Sequence, residues 1–111
     1  MMEQLKKYLD SLVERKLVRS NYVDTMWKVW EKIQATFNNT LSEPDAGVSG
    51  DGYLMLAFDD GVNHLEFEMM EDDFVEVFFL NRNTDAVWGT DFLVNDPLSD
   101  MIIEKLRLFQ K

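Results

Sequence analysis

Tyr53-Leu-Met-Leu-Ala-Phe-Asp-Asp-Gly61 runs straight into Val62-Asn-His-Leu-Glu-Phe-Glu-Met-Met70, and the reading of these two stretches decides the fold. Apolar residues recur at every second position on both sides of Asp60-Gly61, the period of a strand with one buried face. Asp60-Gly61 is a hairpin signal, because a type I′ turn needs positive φ at both central residues. As a two-residue loop it pairs Phe58 with Asn63, Leu56 with Leu65 and Leu54 with Phe67. One face of the pair is then apolar throughout, which supports the register.

The same pattern continues outward. A loop at Glu71-Asp72-Asp73 pairs Met69 with Val75, Phe67 with Val77 and Leu65 with Phe79, and the same face stays apolar. A turn through Arg82 to Asp85 brings Trp88 across from Phe79. Strands are expected at Tyr53–Asp59, Val62–Met70, Phe74–Asn81 and Ala86–Thr90, a four-stranded antiparallel meander over residues 53–90.

The flanks are helical. From Met2 to Lys16, Leu5, Tyr8, Leu9, Leu12 and Val13 form one stripe. A break around Leu17 to Ser20 precedes a second helix, capped by Ser20 or Asn21. Its apolar face carries Val23, Met26, Trp27, Trp30, Ile33 and Phe37, with Glu31 and Lys32 outward. Asn38 to Gly52 has the composition of a long loop. Asp96 as cap and Pro97 at the first helical position open a last helix over 96–110, with Leu98, Met101, Ile102, Leu106 and Phe109 inward. Lys105, Arg107 and Lys111 near its end complement the helix dipole. The expectation is a single α+β domain over 1–111: two N-terminal helices (1–37), the meander and one C-terminal helix, in two layers with the helices on the apolar sheet face.

The 46% hydrophobic content, with eight Phe, three Trp and three Tyr, belongs to a chain with a packed core. There is no cysteine, so disulfides and thiolate metal sites are excluded. Neither a leader-like nor a membrane-spanning apolar run is present, and the expected compartment is the cytoplasm. Charge is unevenly placed. Residues 41 to 100 hold fifteen carboxylates against one cation, Arg82, a formal −14 in a chain of net −10. Such a field repels phosphates, so direct nucleic-acid binding is disfavoured and a basic protein partner is favoured.

The pleat also dictates the opposite sheet face: Tyr53, Met55, Ala57, His64, Glu66, Glu68, Met70, Phe74, Glu76, Phe78 and Leu80. Glu68 and Glu76 fall directly opposite each other, where like charges are destabilising. Glu66 lies beside them, and Tyr53, Met55, Phe74 and Phe78 surround the patch. The terminal helix or a second subunit covers this face, or it is a docking surface in which aromatics supply contact area and carboxylates supply steering, or a register shifted by one residue inverts the assignment. The candidate partner-binding residues are Tyr53, Asp59, Asp60, His64, Glu66, Glu68, Asp72, Asp73, Phe74, Glu76 and Phe78.

Catalytic chemistry is poorly represented. His64, the only histidine, stands beside Glu66 on one strand face, and no serine falls in a nucleophile-elbow context. Glu66 and Glu68 lie about 7 Å apart along a strand, in range for a glycosidase pair but without a cleft. Neither Glu71-Asp72-Asp73 nor the Asp45 to Asp51 segment follows a calcium-loop pattern. No catalytic residue, metal or cofactor is expected.

Tyr53 to Gly61, His64-Leu-Glu-Phe-Glu68, Asn81-Arg-Asn-Thr84 and Trp88-Gly89 together resemble a pattern in small bacterial and phage proteins of undetermined activity. There an acidic-Gly turn precedes a Leu-Glu-x-Glu strand and an Arg-x-Thr turn. The resemblance spans about forty residues of the sheet and implies the meander. The functional expectation is a non-enzymatic acidic interaction protein of the inhibitor or antitoxin kind, the class to which phage-encoded inhibitors of host defence belong. It would mimic nucleic acid and occupy a basic, nucleic-acid-binding protein surface. The alternative is a homodimeric structural or assembly protein that pairs through the apolar outer sheet residues, its acidity serving solubility.

Overall fold

Alternating apolar residues become alternating burial. The computed structural model describes residues 2–14 and 20–111, with side chains from Lys6 to Glu14 and from Asn21 onward. Among them, helices α1 (Met2–Glu14) and α2 (Ser20–Phe37) precede strands β1 (Asp45–Val48), β2 (Leu54–Asp59), β3 (Asn63–Met69), β4 (Phe74–Asn81) and β5 (Ala86–Leu93). Helix α3 (Asp100–Arg107) follows. The strands form one antiparallel sheet in the order β1-β2-β3-β4-β5. Leu54, Leu56, Phe58, Leu65, Phe67, Met69, Val75, Val77 and Phe79 are buried on one face.

All three helices press on that face. Leu9 and Leu12 of α1, Met26, Val29, Trp30 and Ile33 of α2, and Ile102 and Leu106 of α3 join the strand residues in one core. Phe58 sits at its centre, with ring centroids 6.3 Å from Trp30, 6.4 Å from Phe67 and 5.6 Å from Phe109. Among the described residues the opposite face carries no helix, so the alternative of a covering terminal helix is set aside.

The sheet has five strands where four were expected. β1 lies inside the segment read as loop and pairs Asp45 with Ala57 and Val48 with Leu54. Its composition is that of a loop; cross-strand hydrogen bonding holds it, not propensity. The first hairpin is also wider than a two-residue turn. Phe58 pairs with Leu65, Leu56 with Phe67 and Leu54 with Met69. Gly61 adopts positive φ but Asp60 does not, so a type I′ turn is not formed. The Asp60 carboxylate instead accepts the amides of Val62 and Asn63 at 2.9 and 2.6 Å. The shift is two residues, so every side chain keeps its face. The second and third registers, including Glu68 opposite Glu76 and Phe79 opposite Trp88, are as expected.

At the C-terminal end the helix begins later than Asp96-Pro97. Ser99 is the cap, its hydroxyl accepting the Ile102 amide at 3.3 Å. Asp96 is occupied otherwise: its amide donates to the Leu93 carbonyl and its own carbonyl accepts from Lys32 Nζ. Lys32 also donates to the Val94 carbonyl, so it is not the outward residue the helical pattern implied. Desolvation there holds its pKa below the ordinary lysine value. Tyr8 and Met101, expected in the apolar stripes of their helices, are exposed. Ser20 and Asn21, the expected caps, are instead helical residues of α2, while the side chain of Leu5, the end of the first helix at Lys16 and the break at residues 17–19 lie outside the described residues. No described helix is long and apolar enough to cross a membrane.

Candidate functional site

The uncovered sheet face is organised in rows set by register. Glu68 of β3 stands beside Glu76 of β4, and Glu76 beside Asp91 of β5. Adjacent strands lie about 4.8 Å apart, so three carboxylates cross three strands in a line. The next row places Asp45, Ala57, Glu66, Phe78 and Gly89 side by side. The row toward the Glu71–Asp73 turn ends in Phe74 and Leu93. Phe74 and Phe78 are each 43% exposed, large values for phenylalanine on a regular strand.

An open groove of about 370 Å³ follows the carboxylate row, lined chiefly by Glu66, Glu68, Glu76, Phe78, Gly89 and Asp91. A second, of about 330 Å³, shares Glu76 and Asp91 and adds Tyr53, Met70, Glu71 and Phe74. Together they run from the aromatic end of the face to the glycine on β5.

The candidate acids divide into two kinds. Asp59 is neutralised. Arg82 grips it with two nitrogens, Nη1 to Oδ1 at 3.0 Å and Nη2 to Oδ2 at 2.7 Å, while the Gly61 amide donates to Oδ1 at 2.8 Å. His64 Nδ1 lies 2.8 Å from Asp59 Oδ2, and its Nε2 3.3 Å from Glu66 Oε1. The Arg82 guanidinium, then the Gly61 amide and His64, hold the Asp59 carboxyl far below the usual carboxylate range. Asp60 is committed to its turn, and the Asn63 and Val62 amides lower its pKa. Both residues lock one end of the sheet.

Glu68, Glu76 and Asp91 have no cationic partner among the described residues, although the Ser49 hydroxyl hydrogen-bonds Glu68. Among the described residues, the ion pairs are those of Asp59 with Arg82 and His64 and of Glu66 with His64. Glu68 is pushed above the ordinary glutamate pKa by desolvation first, then by the charges of Glu66, Glu76 and Asp51. Tyr53 donates its hydroxyl to Glu71 Oε1 at 3.4 Å, and the Glu71 charge raises its pKa. Asp72 and Asp73 protrude at the far turn with positive φ, distant along the strands from Asp59 and Asp60. The proposed residues Glu66, Glu68, Phe74, Glu76 and Phe78 therefore form one patch, with Tyr53 at its margin, where its ring meets Tyr22 of α2 edge-on at 5.8 Å, flanked by a neutralised end and an acidic end.

Asp91 lies beyond Thr90, the expected end of the last strand, and so is not among the expected site residues. The alternation continues through Asp91-Phe92-Leu93, with Phe92 buried, and this was the available signal. Among the described residues, no group of three or more His, Asp or Glu converges to hold a metal ion. No family model, curated protein or solved structure matches the chain.

Proposed function

We propose that this chain is a non-catalytic interaction protein whose bare sheet face docks on a basic protein surface of the kind that grips nucleic acid, acting there as an inhibitor or antitoxin-like mimic. One observation carries the reading: Glu68, Glu76 and Asp91 stand in line across three strands, and among the described residues no cation pairs with them. Such a row costs the fold stability, since like charges at opposed positions repel. A cationic partner would relieve that repulsion, while Phe74, Phe78 and Tyr53 supply the apolar contact that charge alone does not. A fixed array of negative charge along a rigid sheet offers lysines and arginines what a phosphate backbone offers them.

Capture from a lysate of the source cell at low and at physiological salt tests this, with duplex DNA as competitor. The wild-type chain should retain its partner at low salt, lose it steeply as salt rises, and lose it to DNA. The Glu68→Lys, Glu76→Lys double variant should not retain it. Capture indifferent to salt, to DNA and to both reversals would overturn the reading. The exposure of Phe74 and Phe78 favours a second reading, a homodimer closed through this face. A salt-resistant dimer by light scattering, broken by Phe78→Glu, would establish that reading instead.

A further inference from the structure

The two edges of the sheet are unlike. β1 is four residues long, whereas β5 is eight and pairs with β4 without a skipped residue from Phe74–Leu93 to Asn81–Ala86. An unpaired edge strand is a template for another chain, and proteins usually blunt it with lysine, proline, a bulge or a covering element. Ala86-Val-Trp-Gly-Thr-Asp-Phe-Leu93 contains no lysine and no proline, and its register contains no bulge. Val87 is 65% exposed, and Gly89, Thr90 and Asp91 are exposed too. Among the described residues no hydrogen bond reaches the outward backbone groups between Val87 and Phe92.

Gly89 adds an independent sign. A Cβ at this position would meet only the Val77 carbonyl, at 3.4 Å, and its φ is not positive. Neither backbone nor packing requires glycine there, although glycine in a strand interior weakens it. What its bareness does is open the groove beside Phe78 at the very edge of the sheet.

We propose that β5 takes a sixth strand from the partner: an extended segment carrying lysine or arginine at alternate positions, added by backbone pairing along Val87 to Phe92. The choice of a cationic occupant rests on the basic-partner reading; the strand addition does not. In this arrangement one outward side chain of the added strand falls beside Asp91, in line with Glu76 and Glu68. The neighbour beside Gly89 lays its stem over the bare backbone against Phe78. Residues on the other face meet Trp88 and Thr90, a place for β-branched or apolar side chains. Main-chain bonds then supply affinity and the alternate side chains supply selectivity. A second copy of this chain fits the edge less well, because each brings a net charge of −10.

The test uses three synthetic eight-residue peptides: alternating lysine and valine, the same peptide N-methylated at the backbone amides of its pairing edge, and alternating threonine and valine. Amide exchange and chemical shifts over residues 86–93 of the intact protein are read by NMR. The lysine peptide should slow exchange of the outward β5 amides about tenfold or more, and the N-methylated peptide should leave them unprotected. Equal effects of those two peptides, or no protection with either, would overturn strand addition while leaving face docking intact. Protection by the threonine peptide as strong as by the lysine peptide would overturn the cationic occupant, and with it the charge reading. Protection that rises with protein concentration alone would assign the edge to a second copy and overturn the proposal.

Discussion

Glu68 and Glu76 are direct cross-strand partners on the open face of the sheet, and among the described residues no positive side chain pairs with either. The pKa of Glu68 is raised above its unfolded value by desolvation and by neighbouring carboxylates. A raised folded-state pKa means that protonation stabilises the fold: the contribution is complete below the unfolded value and is lost as pH rises through the folded one. Stability should therefore climb as pH falls from 7 toward the glutamate range. Glu68→Gln should gain about 0.2–1 kcal/mol at pH 7 and flatten that climb, as urea unfolding at several pH values will show.

Asp59 carries the opposite sign. Its pKa is depressed, by Arg82 above all, so its contribution is present above the ordinary aspartate value and is lost as pH falls through the folded one. Asp59→Asn should lower stability at pH 7 by less than about 1 kcal/mol, because the pair is partly exposed and screened. The loss should shrink in high salt and vanish below the folded pKa. With Glu68 it predicts a stability maximum on the mildly acidic side of neutrality, measurable as a Tm profile.

Why the faces of the sheet were legible while some of its edges were not is a matter of parity. Side-chain direction in a strand repeats every two residues, so widening the Asp60-Gly61 turn moved the pairing of Phe58 from Asn63 to Leu65 and left every face assignment intact. Asp45 to Val48 offered no such pattern: it lies between Pro44 and Gly50 and becomes a strand only because β2 is there to pair with it. Asp96-Pro97 has the chemistry of a helix start, yet the Leu93 carbonyl and Lys32 engage its backbone, and Ser99 caps the helix three residues on. The candidate acids were visible as a count, but not their division. Only the fold shows that Arg82 commits its charge to Asp59 and that, among the described residues, the central row has no cation.

Asp72 stands at φ 58° and Asp73 at φ 62°, left-handed positions that aspartate tolerates better than most side chains. Asp72→Val should cost about 1–2 kcal/mol. Asp72→Asn should be close to neutral for folding, since asparagine tolerates the same conformation. Thermal unfolding of the two variants separates backbone strain from charge at this turn.

Phe58 links α2, β3 and the C-terminal end of the chain through Trp30, Phe67 and Phe109, and it is fully buried. Phe58→Ala should cost about 3–5 kcal/mol, a large part of the whole stability of a domain of this size, about 5–15 kcal/mol. A lowered urea midpoint with an unchanged slope would show that the loss lies in the folded core.

Asp91 allows folding and binding to be pulled apart. It stands beside Glu76 on an exposed strand, where a positive side chain would suit the fold better than a negative one. Asp91→Lys should raise stability by about 0.2–1 kcal/mol, because a repulsive pair becomes an attractive one. If the carboxylate row is the docking surface, the same change should weaken capture of the basic partner about tenfold or more. A variant that melts higher and binds less means that the row is maintained against the interest of the fold. A variant that melts higher and binds as before would place the contact elsewhere on the molecule.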